Sequence, residues 1–219
     1  MMKLDKQDNI FILTMNNGAN EISPEWHHRM NTALEKIAAD SAGEAGLILV
    51  GEKKSFCHGL DLPTLMQLDE QAMRAFALEM TRIYRRLLLL PIPTVAALNG
   101  HAFAGGALLA LTADYRLMRE DRGWFCISEI DVGIPFEKKM MDLLLAKLPA
   151  NTARDAVLTG KRYNADEAIS AGIADGKASE EALLETAIAL VTNLSVKNRE
   201  LYATFKHHLY GAIGDALIH

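Results

Sequence analysis

Apolar and polar positions follow two periods along the chain. Short apolar runs bounded by turn residues read as buried strands: residues 9–15 (NIFILTM, turned by Asn16-Asn17-Gly18), 46–50 (GLILV) and 94–98 (TVAAL, broken by Asn99-Gly100). Residues 115–118 and 124–127 read the same way, on either side of the turn Glu120-Asp121-Arg122-Gly123. Helical spacing fills the intervals. Ser23-Pro24-Glu25 supplies a capping hydroxyl, a proline at the first helical position and an acid in the first turn. Met30, Leu34 and Ile37 then mark one face of a helix over 24–39, with His27 and His28 expected on its solvated surface. A second helix spans about 70–90 and is closed by Pro91 and Pro93. Further helices are expected over 137–148, 151–159, 165–171 (ended by Gly172), 179–194 and 196–208. The sum is an α/β core followed by helices.

Within that pattern, Gly105-Gly106 stands directly before Ala107-Leu108-Leu109-Ala110-Leu111, a run of strong helix formers. The first amides of a helix have no internal partner, and the helix dipole adds partial positive charge there. Glycine lets a ligand approach such amides closely. A tight strand-to-helix connection in a packed core reads equally well from this stretch alone. Residues 51–62, GEKKSFCHGLDL, form a second strand-to-helix connection containing a glycine and ending in an acid. In residues 128–135, SEIDVGIP, a carboxylate sits between apolar residues just after a strand.

Length and composition narrow the classes. The 219 residues suit one domain, and the hydrophobic half of them can build a sizeable core. A net charge of −5, with no basic cluster longer than the Arg85-Arg86 pair, argues against a nucleic-acid partner. The two cysteines, Cys57 and Cys126, stand in no metal spacing and read as reduced thiols. No signal-peptide core or membrane-length apolar stretch is evident, so a soluble cytoplasmic protein is expected.

Three segments in order carry a resemblance. FCHGLDL, NGHAFAGGALLAL and SEIDVGIP resemble the signature regions of the crotonase family, the enoyl-CoA hydratase/isomerase superfamily. PTVAALNG and LTGKRYNADEAISAGIAD resemble it too, so the likeness runs over nearly the whole chain. The combination of ALNGHAFAGG, ADYRLMREDRG and SEIDVGIP is most similar to the Δ3,Δ2-enoyl-CoA isomerases, notably the plant peroxisomal kind. The resemblance implies an α/β crotonase (ClpP-like) spiral of ββα repeats over residues 1–175 and a helical trimerisation region over 176–219. It also implies a homotrimer or hexamer, an acyl-CoA thioester substrate, and no cofactor beyond the coenzyme A that is part of that substrate.

The resemblance carries over to particular residues. The N–H groups of Leu60 and Gly105 would form an oxyanion hole, backbone around Cys57, His58 and Leu60 would cradle the adenine of CoA, and Asp61 would organise the loop. Hydratases of the family generally use two glutamates; the matching positions here are Leu108 and Glu129. A thioester α-proton is too weakly acidic for a carboxylate of pKa ~4.3 unless the enolate oxygen is stabilised. One such amide donor is typically worth about 2.7–4 kcal/mol. Leucine holds no water, so the single carboxylate of Glu129 points to proton transfer rather than hydration. Apolar neighbours (Phe103, Leu108, Ile127, Ile130) are expected to raise its pKa. Asp131 and Glu137 are nearby alternatives, Asp131 pointing to the opposite face if the segment stays extended. Leu65, Met66, Met73, Phe76 and Met80 are candidate acyl-pocket linings or plain core. Lys53, Lys54 and Lys206 are candidate phosphate contacts or plain surface.

Overall fold

The computed structural model describes residues 2–219. β1 (Met2–Gln7) and β2 (Ile10–Met15) form an antiparallel hairpin about Asp8-Asn9, with Asp8 at φ 53°. α1 (Pro24–Asp40) begins where expected, the Ser23 hydroxyl accepting from the Trp26 N–H. One plan then repeats: long strand, short strand, helix. β3 (Gly46–Gly51) and β4 (Ser55–Cys57) lead to α2 (Leu62–Leu65) and α3 (Glu70–Leu88). β5 (Thr94–Leu98) and β6 (His101–Phe103) lead to α4 (Gly105–Thr112), then β7 (Tyr115–Arg119) and β8 (Phe125–Cys126) to α5 (Glu129–Val132). The chain ends with α6 (Lys138–Lys147), α7 (Ala150–Thr159), α8 (Ala165–Ser170), β9 (Gly176–Ala178), α9 (Leu183–Ser195) and α10 (Arg199–Ile218). Among the described residues no helix is long and apolar enough to cross a membrane.

The long strands lie in a six-stranded sheet ordered β1-β2-β3-β5-β7-β9, and the short ones in a three-stranded sheet ordered β4-β6-β8. Apart from the β1–β2 hairpin, every pairing is parallel. This is the expected spiral of ββα turns. Both faces of the large sheet's central strands β2, β3 and β5 are buried, which is why these read as continuous apolar runs. Phe11, Leu13, Leu47, Leu49, Ala96 and Leu98 face the core shared with α1, α3 and α4. The alternate residues Ile10, Ile12, Ile48, Val50, Val95 and Ala97 pack with Leu183, Ala187 and Val191 of α9. A parallel strand pair needs a long crossover, and the helices that supply it cover the sheet.

Several expectations change. The charged start of the chain is a strand, β1, held by pairing with β2. The connections at 51–62 and 99–104 contain β4 and β6, and α10 runs ten residues past the expected end at 208. His27 is not at the surface. It is 4% exposed, stacked on Phe76 with ring centroids 4.4 Å apart, and burial pushes its imidazole down to about 4. Lying three residues before Met30, it continues the apolar stripe of α1. Lys206 is also buried, at 4% exposure, with Nζ 3.0 Å from Asp114 Oδ2 and 3.3 Å from the Ile92 carbonyl. It ties α10 to the core and is no phosphate contact.

Candidate active site

The three segments singled out in the sequence converge on one cavity of about 250 Å³. Leu60 lines it from the loop after β4, Gly105 and Leu108 from α4, and Ser128 and Glu129 from α5. Leu65, Met73, Phe76, Ala77 and Met80 form an apolar wall on the side of α2 and α3. Of the candidate linings, Met66 does not join this wall: it closes α2 with 85% of its surface exposed.

Local backbone geometry frees two amides. Ile22 forms an isolated parallel bridge with Leu60, donating its N–H to the Gly59 carbonyl at 2.7 Å and accepting from the Asp61 N–H at 3.0 Å. In such a bridge the central residue's own N–H points the other way. Gly105 opens α4 behind Ala104, whose φ of 49° and ψ of −122° swing the chain into the helix, with no side-chain cap. Among the described residues neither the Leu60 nor the Gly105 N–H has a protein acceptor. Two close approaches hold the amides together. A Cβ on Gly106 would overlap the Cys57 carbonyl, and one on Gly59, at φ +89°, would lie 3.3 Å from the Gly105 nitrogen. Tyr84, fully buried, donates its hydroxyl hydrogen to the Gly105 carbonyl at 2.7 Å, fixing the first turn of α4. Asp61 accepts from the Thr64 N–H and hydroxyl, at 3.1 and 2.6 Å, and so caps α2 and organises the loop.

Glu129 brings a carboxylate to this cavity from the start of α5. Its Oε2 is buried with no hydrogen-bond partner among the described residues. Burial raises its pKa from 4.5 to about 7. The apolar surroundings are only partly those expected. Leu108 lines the cavity and Ile127 lies in the core behind it, whereas Ile130 is exposed and Phe103 stacks on His101. Val132, Ile134, Phe136 and Met140 complete the cavity instead. Val132 enters because α5 coils a segment that reads as extended, and Met140 because α6 packs beside it. Helical winding also turns Asp131 away from the cavity, toward Gly160. Glu137 lines the outer part of the cavity and is paired with Lys139 at 3.3 Å.

Comparison with known proteins identifies relatives of the chain. Residues 5–219 match the family model "Enoyl-CoA hydratase/isomerase". Enoyl-CoA delta isomerase 3 of Arabidopsis thaliana is 35% identical, over 96% of this chain and 92% of its own length. The chain belongs to the enoyl-CoA hydratase/isomerase family. A second Arabidopsis relative, "Enoyl-CoA delta isomerase 2, peroxisomal", is 34% identical over 96% of this chain and 92% of its own. Human mitochondrial delta3-delta2-enoyl-CoA isomerase superposes with a TM-score of 0.93 at 24% identity, over 99% of this chain and 86% of that one, a likeness of fold.

Within this family's fold, the residues expected at the adenine fall in different places. His58 and Leu60 line the cavity, His58 with its ring nitrogen 3.1 Å from the Ser55 hydroxyl and its own N–H donated to the Ala19 carbonyl. Cys57 is fully buried in β4, its thiol pushed up to about 12 by burial. Cys126 is buried as well and donates to the Gly160 carbonyl; both thiols are free. Lys53 and Lys54 are exposed just after β3.

Proposed function

We propose that this protein isomerises 3-enoyl-CoA to 2-enoyl-CoA. The thioester oxygen binds at the N–H groups of Leu60 and Gly105, and the ionised carboxylate of Glu129 removes a proton from C2. The electron pair delocalises over the dienolate, whose oxygen the two amides stabilise. The protonated Glu129 then delivers the same proton to C4, so the double bond moves to C2–C3 and the base is regenerated. A carboxyl group with a pKa near 7 is suited to both halves of that exchange. One observation carries the proposal: a carboxylate oxygen and two amides, all without protein partners among the described residues, share a cavity that leucine rather than an acid lines at position 108. That leucine, 3% exposed, can neither hold nor divide a water. The two Arabidopsis relatives point the same way.

The loop from His58 to Leu60 is assigned to the CoA moiety, with Lys53 and Lys54 available to its phosphates. A homotrimer or a hexamer belongs to the same proposal. It draws on an apolar stripe of α10 left exposed in the single chain, at Leu201, Phe205 and Leu209.

The test compares purified protein on 3-enoyl-CoA and on 2-enoyl-CoA. Conjugation with the thioester raises ultraviolet absorbance in the first case, and hydration lowers it in the second. A fast rise with little later loss is the expected result. Efficient consumption of 2-enoyl-CoA would replace the isomerase by a hydratase. Silence with both substrates but tight thioester binding would leave a binding subunit or a different acyl-CoA reaction.

A further inference from the structure

Phe76 stands between two hollows. One is the catalytic cavity, which it lines on α3 together with Met73 and Met80. The other is an open cleft between α1 and α3, which it lines with His27 and Ala72. Among the described residues Phe76 is the one residue common to both linings. Its ring lies nearly flat on the ring of His27, at an interplanar angle of 23°. Burial keeps that imidazole neutral, and its Nε2 has no partner among the described residues. Phe76, stacked on His27, thus forms part of the partition between the cavity and the cleft.

The polar lining of the cavity comes from His58, the amides of Leu60 and Gly105, Ser128, Glu129 and Glu137, none of them on α3, and the α3 side, at Met73, Phe76, Ala77 and Met80, is apolar. A thioester held at the amides therefore has its hydrocarbon tail drawn toward α3. We infer that Phe76, backed by His27, is the stop that sets the acyl-chain length this cavity accepts. Removing its ring joins the cavity to the cleft between α1 and α3 and lets longer chains through. The inference rests on the acyl-thioester function proposed above.

The experiment measures dissociation constants of saturated acyl-CoAs of increasing chain length, by calorimetry, for the wild type, Phe76→Leu and Phe76→Ala. It is paired with the ratio of long- to short-chain kcat/KM on 3-enoyl-CoAs. Each buried methylene tightens binding by about 4-fold. In the wild type that gain should stop at the chain length that reaches Phe76. In the variants the break should move to longer chains, further in Phe76→Ala than in Phe76→Leu, and the long-to-short ratio should rise by about 4-fold per added methylene. Phe76→Leu carries the test if Phe76→Ala fails to fold, which circular dichroism will report. A break unmoved in folded variants overturns the inference and leaves the isomerase intact. Absence of acyl-CoA binding by the wild type at every length overturns the underlying function and the inference with it.

Discussion

Two ionisable side chains in this molecule, Lys206 and the half-buried Glu129, make opposite use of burial. Lys206 sits where β5 and β7 begin, against Asp114, and two acceptors hold it. Its ammonium donates to Asp114 and the Ile92 carbonyl, and Asp114 Oδ2 also accepts from the Thr94 N–H, the Thr94 hydroxyl and the Tyr202 hydroxyl. Glu129 follows β8, and its buried Oε2 has no partner among the described residues. A buried polar group without a partner costs stability, so a fold keeps few of them. The satisfied pair fastens α10 to the sheet. The unsatisfied carboxylate faces a cavity with two free amides and is available to a ligand.

Removing each group in turn breaks the comparison most directly. Glu129→Gln should lower kcat by about 10²–10⁴-fold, the range for a positioned general base, with no loss in thermal midpoint, because the amide needs no ionisation. Steady-state kinetics beside a thermal melt checks both halves. Lys206→Met should do the reverse. It strands Asp114 in the core at a cost of roughly 3 kcal/mol, while kcat per folded molecule stays at the wild-type value. Denaturant titration measures the first effect and active-site-normalised rates the second. A folded Lys206→Met variant without turnover would erase the distinction.

Protonation sharpens it further. Glu129 must be ionised to act as a base, so kcat/KM should rise with pH through about 7. Its effect on stability runs the other way. The folded pKa of about 7 exceeds the ordinary 4.5, so the folded state binds the proton more tightly. The corresponding stability is fully present below pH 4.5 and is lost as pH rises through about 7. Denaturant midpoints across that window should flatten in Glu129→Gln. The smallest effect belongs to Tyr84→Phe, which deletes the donor to the Gly105 carbonyl. It should cost about 1 kcal/mol of stability and lower kcat by no more than about 5-fold, with KM nearly unchanged. A larger change in KM than in kcat would mean that Tyr84 shapes the binding wall rather than the amide.

Much of this was legible in the chain itself, because it depends on near neighbours. The cap at Ser23, the apolar runs that became β2, β3 and β5, and the glycine pair opening α4 are local signals. So is a glutamate flanked by isoleucines after a strand. One further local signal was available and overlooked: His27 keeps the spacing of Met30, Leu34 and Ile37, which is the spacing of a buried face. Lys206 carries a weaker one, four residues from both Tyr202 and Tyr210 on α10.

What only the tertiary structure decided lies in contacts between distant parts of the chain. Strands of two or three residues, such as β4, β6 and β8, have no periodicity of their own and exist by pairing, Ser55 with His101 and Phe103 with Cys126. Whether a lysine is surface or scaffold depends on an aspartate 92 residues away. The same holds for the site. The sequence determined which backbone could expose an amide and which carboxylate sat among apolar residues. Only the close packing of β4 on α4, with α5 wound into a helical turn, brought Leu60, Gly105 and Glu129 onto one cavity and set Phe76 in its lining. Such packing follows from shape and burial summed over the whole core, and no local stretch of sequence contains it.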